Sequence, residues 1–414
     1  MSFKIKNLLP SSSDTKFIYN SIFIGLPSLI FLTLLVIGFY AEGSQQFSML
    51  ANSFVHGHTY FLSSIGGVGQ DPVLYHGKVY WDDGFFPSLT LVPFVAFFNI
   101  FHIFFYQGYI KWMFVVLTVY FIYLLAKHFK YSNRDSIILV LGFVLGSVYI
   151  GVNSVSSGWL YAQIICTFLL FAALLAYFKK KSWWLIGAIC GAILLTRIPA
   201  DAVLIFFGLS ILYTKKPFKK KLNDLFKLGI FVFLAAVLIG AYNYQRFGNP
   251  FNNGNYYQLI SSESAKARSM GLMNIDHVPT NLYTILLRGP IPVLKDPGSW
   301  SLKAPYLTNN NLGMSIFITS PFILYFFTRK WSSYSKENRL LLLSALVSLI
   351  ILLCYYGDGA DQLGYRYALD FLPTLYVVFM SIYKKHNKNL SLGMTSLLIL
   401  PGFFNFYLLL SYIS

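Results

Sequence analysis

Long apolar runs alternate with short basic clusters along the whole chain. The runs lie at 18–40, 109–126, 136–151, 158–178, 184–197, 199–214, 225–243, 315–328, 339–356, 367–383 and 391–413. Most approach the ~20 residues that a helix needs to cross a bilayer. A twelfth run, 85–105, sets the parity of everything after it. If it crosses, 19 Lys and Arg are placed outside, in clusters around Lys127, Lys179, Lys219, Lys330 and Lys384. If it does not, all 19 share a side with Lys4, Lys6 and Lys16. Positive residues gather in cytoplasmic loops, so 85–105 is predicted to lie along the outer interface. Its Pro87, Pro93, Asn99 and His102 suit that role. The same parity follows if 109–126 fails to cross instead. The pattern predicts an all-α polytopic membrane protein with about 11 transmembrane helices and a cytoplasmic N-terminus.

The organisation that follows is an N-terminal membrane module, 1–243, a long outer loop, 244–314, and C-terminal spans, 315–414. The first outer loop, 41–108, lies inside the first module. There Phe47, Leu50, Ala51, Phe54 and Val55 fall on one face of a helix, with Gln45, Ser48 and Asn52 opposite. This predicts an amphipathic juxtamembrane helix lying on the membrane surface, begun by Glu42 and ended near Gly57. A carboxylate at a helix start is held ionised by the helix dipole. Further on, "GQDPVLYHGKVYWDDGFFPSLTLVPF" gathers Asp71, Lys78, Asp82 and Asp83 among Tyr75, Tyr80 and Trp81. Adjacent acids point apart on a helix or strand, so Asp82 and Asp83 make a poor metal clamp unless the backbone turns at Gly84. The second loop is rich in Asn, Gly and Pro, which marks turns.

Composition sharpens this picture. The chain has 414 residues, 56% hydrophobic and 11% charged, which requires lipid as solvent. The net charge of +17 does not indicate nucleic acid, because the Lys and Arg sit in short clusters between apolar runs. Cys166, Cys190 and Cys354 all lie in apolar runs and form neither a disulfide framework nor a zinc spacing. The first span lacks a small-residue cleavage site and reads as an uncleaved anchor. Of the 15 acids, 11 fall on the outer side, a bias that positive-inside sorting does not require. They point to an outward-facing site. Phe-, Tyr-, Lys- and Asn-rich usage points to an AT-rich bacterial genome, hence a bacterial cytoplasmic membrane with the site extracytoplasmic.

The order of these features resembles the polytopic GT-C glycosyltransferases that use polyprenyl-phosphate sugars, in particular bacterial protein O-mannosyltransferase-like and lipid A aminoarabinose transferase-like proteins. The resemblance rests on an acid just after the first span (Glu42) with a helix ending near a Gly ("VHGHTY"). It rests also on the aromatic and acidic patch "VYWDDGFFPSLTLVPF", on Arg197 in "LLTRIPAD", on Arg366 in "GYRYALDFLP" and on the loop entry "YNYQRFGNPFNNG". Two departures stand out: Glu42 replaces the family's usual Asp, and no Lys follows Asp82, although Lys78 lies four residues before it.

The resemblance implies transfer of a sugar, with inversion, from a polyprenyl-phosphate donor to a glycan, lipid or protein acceptor. Glu42 would be the base, with Asp82 or Asp83 orienting the acceptor or a divalent ion. Arg197, Arg366, Lys78 and Arg246 would hold the donor phosphate, as forked guanidinium and ammonium groups can. Gln45, Gln46, Asp71 and Tyr80 would border the acceptor. No cofactor is obligatory in this scheme, and a divalent cation is compatible with it. For Arg197 and Arg366 the structural alternative is pairing with Asp201, Asp358 or Asp370. Two other readings stay open: a polymerase or ligase of lipid-linked oligosaccharides, and a lipid or solute transporter, which predicts mid-bilayer charges and paired broken helices.

Overall fold

The computed structural model describes residues 17–40, 43–64, 67, 69, 71–357 and 359–413. Glu42 and Asp358 lie outside the described residues. Among these residues, six helices are long and apolar enough to span a bilayer: Phe17–Phe39, Gly108–His128, Gly158–Phe178, Phe218–Phe247, Lys336–Cys354 and Leu392–Ser411. The protein is an integral membrane protein, mostly helical.

In chain order, α1 is Leu26–Tyr40, α2 Gln46–Val55, α3 Phe86–Asn99, α4 Gly108–His128, α5 Asn133–Val144 and α6 Tyr149–Ser154. Then come α7, Gly158–Phe178; α8, Trp183–Leu194; α9, Val203–Leu212; and α10, Phe218–Phe247. After the second loop follow α11, Lys336–Cys354; α12, Leu372–His386; and α13, Leu392–Ile413. Helix α7 is the centre of the bundle: 15 of its 21 residues are buried. Helices α4, α8 and α12 pack around it.

Five expected spans are shorter than the pattern suggested. The run 136–151 breaks between α5 and α6, and 315–328 is a four-residue helix followed by the 3₁₀ segment Pro321–Thr328. The runs 184–197 and 199–214 become α8 and α9, joined through the 3₁₀ segment Ile198–Ala202. The run 367–383 opens as a 3₁₀ turn, Arg366–Asp370, before α12. Pro199, Pro321 and Pro373 sit at the starts of such segments, where a missing N–H costs little. Backbone groups freed by breaks inside a membrane protein need internal partners. Asn405 on α13 supplies two, donating Nδ2 to the carbonyls of Leu145 and Thr319 at 3.0 Å each. Ser320 accepts from Val148 N at 3.2 Å. The apolar period does not reveal these breaks because the broken pieces are apolar on nearly all sides.

The segment 85–105 forms α3, whose 14 residues span about 21 Å, short of the ~30 Å hydrocarbon core. Helix α2 occurs where its period placed it but starts at Gln46, four residues after Glu42. Both of its faces carry buried residues. Phe47, Leu50 and Ala51 are wholly buried, as are Gln46 and Ser48 on the other side, because α3 covers it. Asn99 of α3 donates to Asn52 of α2 at 2.7 Å.

The second loop is ordered by its own packing and by the first loop. A strand pair in the first loop, β1 (Val73–Tyr75) and β2 (Lys78–Tyr80), is antiparallel, as is β3 (Ile291–Leu294) with β4 (Leu302–Thr308) in the second. Leu259 N donates to Pro72 O at 2.9 Å, which ties the two loops together. Asn281 donates Nδ2 to the carbonyls of Leu353 and Tyr355 at 2.9 and 2.8 Å, closing the C-terminal end of α11.

Candidate functional site

A cavity of about 240 Å³ opens where the N-terminal end of α7, the segment following Glu42 and the turn before α12 meet. Its wall includes Gly43, Ser44, Ser157, Trp159, Asp361 and Arg366. The backbone just after Glu42 is fixed there by three contacts. Ser44 N donates to Ser157 Oγ at 3.3 Å. Gln107 Nε2 donates to Ser44 O at 3.2 Å. Gln45 Nε2 donates to Gly43 O at 2.8 Å, while its Oε1 accepts from Gln107 N at 3.0 Å.

Arg366 is 5% exposed, and its Nε and Nη1 have no hydrogen-bond partner among the described residues. Its backbone is anchored on both sides: Arg366 N donates to Gln362 Oε1 at 3.1 Å and Arg366 O accepts from Gln163 Nε2 at 3.2 Å. A buried guanidinium without an acceptor is costly. The N-terminus of α7 lines the same cavity. Ser157, at its N-cap, makes no side-chain cap. The amides of Gly158, Trp159 and Leu160 therefore lack the acceptor that a cap provides and add the positive end of the helix dipole. Together these groups form an anion-binding wall.

Arg197 stands nearby but is committed. Its Nε and Nη2 hold Asp370 in a fork, at 2.6 and 2.9 Å, with Asp370 fully buried. Of the sequence-stated alternatives, pairing with Asp370 is the one seen. Asp201 is buried and does not pair with it.

The first-loop acids are carried to this place by β1, β2 and one glycine. Gly84 presses against the turn after α8: a Cβ there would lie 2.2 Å from Leu195 O and 2.5 Å from Thr196 O. Phe86 N donates to Leu195 O at 3.2 Å in the same contact. Asp83 thereby comes within electrostatic reach of Arg197, Arg366 and Asp370. Gly84→Ala is expected to push this turn off the bundle and cut activity at least tenfold, because backbone on both sides must move. Transfer assays paired with thermal melting check it; a fully active variant would show that this close approach is dispensable.

The acids are not equivalent. Burial, then the Asp83 carboxylate, pushes Asp82 up to about 8, while Arg246 and Asp71 act in opposite directions on it. Burial also raises Asp83, against the pull of Arg197 and Arg366. Asp71, likewise raised by burial and by Asp83, feels Arg366 and Asp361. At neutral pH Asp82 therefore holds its proton and is a hydrogen-bond donor rather than a base. Between pH 3.8 and about 8 the folded chain carries a proton on Asp82 that the unfolded chain releases. Stability must then fall as pH rises through that window. Asp82→Asn is expected to lessen the drop in melting temperature between pH 5 and 8.5. An identical pH dependence in both proteins would contradict the assignment.

Several expected site residues have other partners. Arg246 is buried, donates Nη1 to Trp81 O and Nη2 to Asn243 Oδ1 at 2.7 Å, and lies 3.9 Å from the Tyr242 ring centroid. It braces Trp81 and acts on Asp82 through charge rather than facing the cavity. Lys78 is exposed, 4.3 Å over the Tyr60 ring. Tyr80 is 5.2 Å from the Phe247 ring in a small aromatic core. Gln46 is fully buried beneath Gly158, with neither amide atom partnered among the described residues. None of these four lines the cavity, nor do Asp71, Asp82, Asp83, Arg197 and Gln45. Ser157, Trp159 and Asp361 line it and were not expected. The strings "SSGWLYAQ" at a span start and "DGADQLGYR" before Arg366 are the signals that mark them. Among the described residues, no three His, Cys, Asp or Glu are grouped to hold a metal.

No protein-family description matches the chain, and no curated protein matches it. The fold is similar to solved structures of the oligosaccharyltransferase of Archaeoglobus fulgidus. Its apo form shares 12% identity over 95% of this chain and 55% of that one, with a TM-score of 0.48. The form tethered by a disulfide bond to an acceptor peptide containing the NVT sequon shares 15% over 94% and 55%, with a TM-score of 0.45. The same organism's AglB, in complex with an inhibitory peptide and a dolichol-phosphate, shares 13% over 96% and 56%, with a TM-score of 0.43. This chain spans just over half the length of those proteins. At such identity the likeness concerns fold alone.

Proposed function

We propose that this protein is a membrane glycosyltransferase that moves a sugar from a polyprenyl-phosphate donor to a glycan, lipid or protein acceptor. The observation that carries the reading is Arg366: a buried guanidinium whose Nε and Nη1 have no partner among the described residues, beside a cavity also lined by a helix N-terminus without a side-chain cap. Such a wall suits a phosphate. The acceptor hydroxyl or amine attacks the anomeric carbon, the bond from that carbon to the phosphate oxygen breaks, and the phosphate leaves with the electron pair. The configuration inverts. Glu42, one residue before the cavity-lining Gly43, takes the acceptor proton. Asp82, protonated at neutral pH, lies outside the cavity wall and is suited to a supporting role beside Asp83. Arg366 and the α7 amides stabilise the charge that grows on the leaving phosphate.

The placement of basic residues along the helices supports one sidedness. The cavity adjoins Gly158 at the start of α7, while Lys179–Lys181 follow its end, about 30 Å away. Arg246 closes α10, which begins among Lys219, Lys220 and Lys221. With basic clusters inside, the site opens on the extracytoplasmic face, in our reading that of a bacterial cytoplasmic membrane.

The test is incubation of the purified protein in vesicles with radiolabelled polyprenyl-phosphate sugars and a membrane lysate. Labelled glycan product, formed from at least one donor, is expected. Movement of the lipid or sugar across the vesicle without product would replace this reading with a transporter.

A further inference from the structure

Trp159 is an aromatic face in a wall otherwise made of small, polar and aliphatic residues, and nothing above uses it. It stands at the second position of α7. Its place is set from behind. The Trp81 ring lies 6.1 Å from it at 45°, and Phe47 meets Trp81 edge-on at 6.0 Å. Trp81 is fully buried, and its carbonyl accepts from Arg246. The backbone before Trp159 sits close to its neighbours: a Cβ at Gly158 would lie 2.5 Å from Gln46 Oε1 and 3.2 Å from Trp81 Cζ2. The indole therefore cannot retract into the bundle, and its other side borders the cavity.

The rest of the wall fits the same kind of ligand. Ser44, Ser157, Asp361 and Arg366 line the same cavity. A rigid apolar plane ringed by short hydroxyls and one carboxylate suits a pyranose or furanose, which presents a C–H face and a rim of hydroxyls. An apolar chain would leave the carboxylate and hydroxyls unpaired, and a peptide would need an edge or groove that this pocket lacks. The volume, about 240 Å³, lies below the ~300–1,000 Å³ of drug-sized sites. It has room for one sugar ring beside its phosphate.

We infer that Trp159 is the stacking platform for the donor sugar, and that the cavity encloses a single ring rather than several. This rests on the reading of Arg366 as the phosphate site. Stacking on a fixed ring at one end and a phosphate clamp at the other would orient the anomeric carbon between them, toward the segment that follows Glu42. Trp159 is thus a specificity residue, and Arg366 serves any polyprenyl phosphate whatever sugar it bears.

The experiment measures binding to the full-length protein in nanodiscs. The probes are decaprenyl phosphate and the same lipid phosphate carrying one glucose, mannose, N-acetylglucosamine or arabinose. In the wild type at least one sugar-bearing probe is expected to bind about tenfold tighter than the bare lipid phosphate. Trp159→Ala should erase that difference, so that no sugar-bearing probe binds tighter than the bare lipid phosphate; Trp159→Phe should keep part of it. Arg366→Ala should weaken every probe. If Trp159→Ala keeps the full preference for a sugar-bearing probe, the platform is wrong while the phosphate site stands. Absence of any preference in the wild type also overturns it. If Arg366→Ala binds bare lipid phosphate as the wild type does, the underlying reading fails.

Discussion

Replacing Arg366 by alanine is expected to lower sugar transfer at least 100-fold while leaving the melting temperature unchanged or higher. The two effects separate a functional arginine from a structural one. Hydrogen bonds to a charged group are worth about 1.5–3 kcal/mol each. Losing two at a leaving phosphate removes roughly 3–6 kcal/mol from transition-state stabilisation, or two to four powers of ten in rate. A structural ion pair would behave differently, since breaking one leaves a buried charge and costs stability. Arg366 forms no close ion pair among the described residues, with Asp71 and Asp83 only within its electrostatic reach, so its removal breaks no such pair. Arg366→Lys restores a point charge without the fork and should recover part of the activity. Arg197→Ala is the contrasting variant, because it strands the buried Asp370 and should destabilise. A folded Arg366→Ala protein with activity within threefold of wild type would contradict the assignment.

Glu42→Gln is the second change with a large expected effect. A positioned base contributes typically 10²- to 10⁴-fold, and the amide keeps size and polarity while removing the proton acceptor. Transfer should fall by that range with donor binding intact. Asp82 is a poor substitute at neutral pH, since burial and Asp83 keep its proton on up to about pH 8. If Glu42→Gln transfers sugar normally, the base lies elsewhere in the first loop. Rapid-quench assays with excess donor, together with binding of bare lipid phosphate, distinguish a catalytic loss from a binding loss.

The membrane character, the basic ends of the helices and the helical period of α2 were legible in the sequence because burial in lipid and in protein follows simple periodicities. The broken segments were not. Asn405 satisfies the carbonyls of both Leu145 and Thr319 from a helix far along the chain, and no local pattern signals that. The site was half legible. Arg366 and the acids of the first loop were marked by charge at span ends, which is rare in lipid and so informative. Arg197 and Arg246 carried the same signal but are spent on Asp370 and on the Trp81 carbonyl. Charge alone cannot tell a free guanidinium from a paired one. Trp159 was hidden among 19% aromatic residues, and only its lack of aromatic neighbours along the cavity wall singles it out. The period of α2 gave no sign that Gln46 and Ser48, off its apolar stripe, are buried as well.

The most direct test of the central claim is an electron cryo-microscopy structure of the protein in nanodiscs with decaprenyl phosphate. The phosphate should lie within hydrogen-bond distance of the Arg366 guanidinium and of the first amides of α7, beside Gly43. Phosphate density elsewhere, with Arg366 turned to a protein acceptor, would contradict the account.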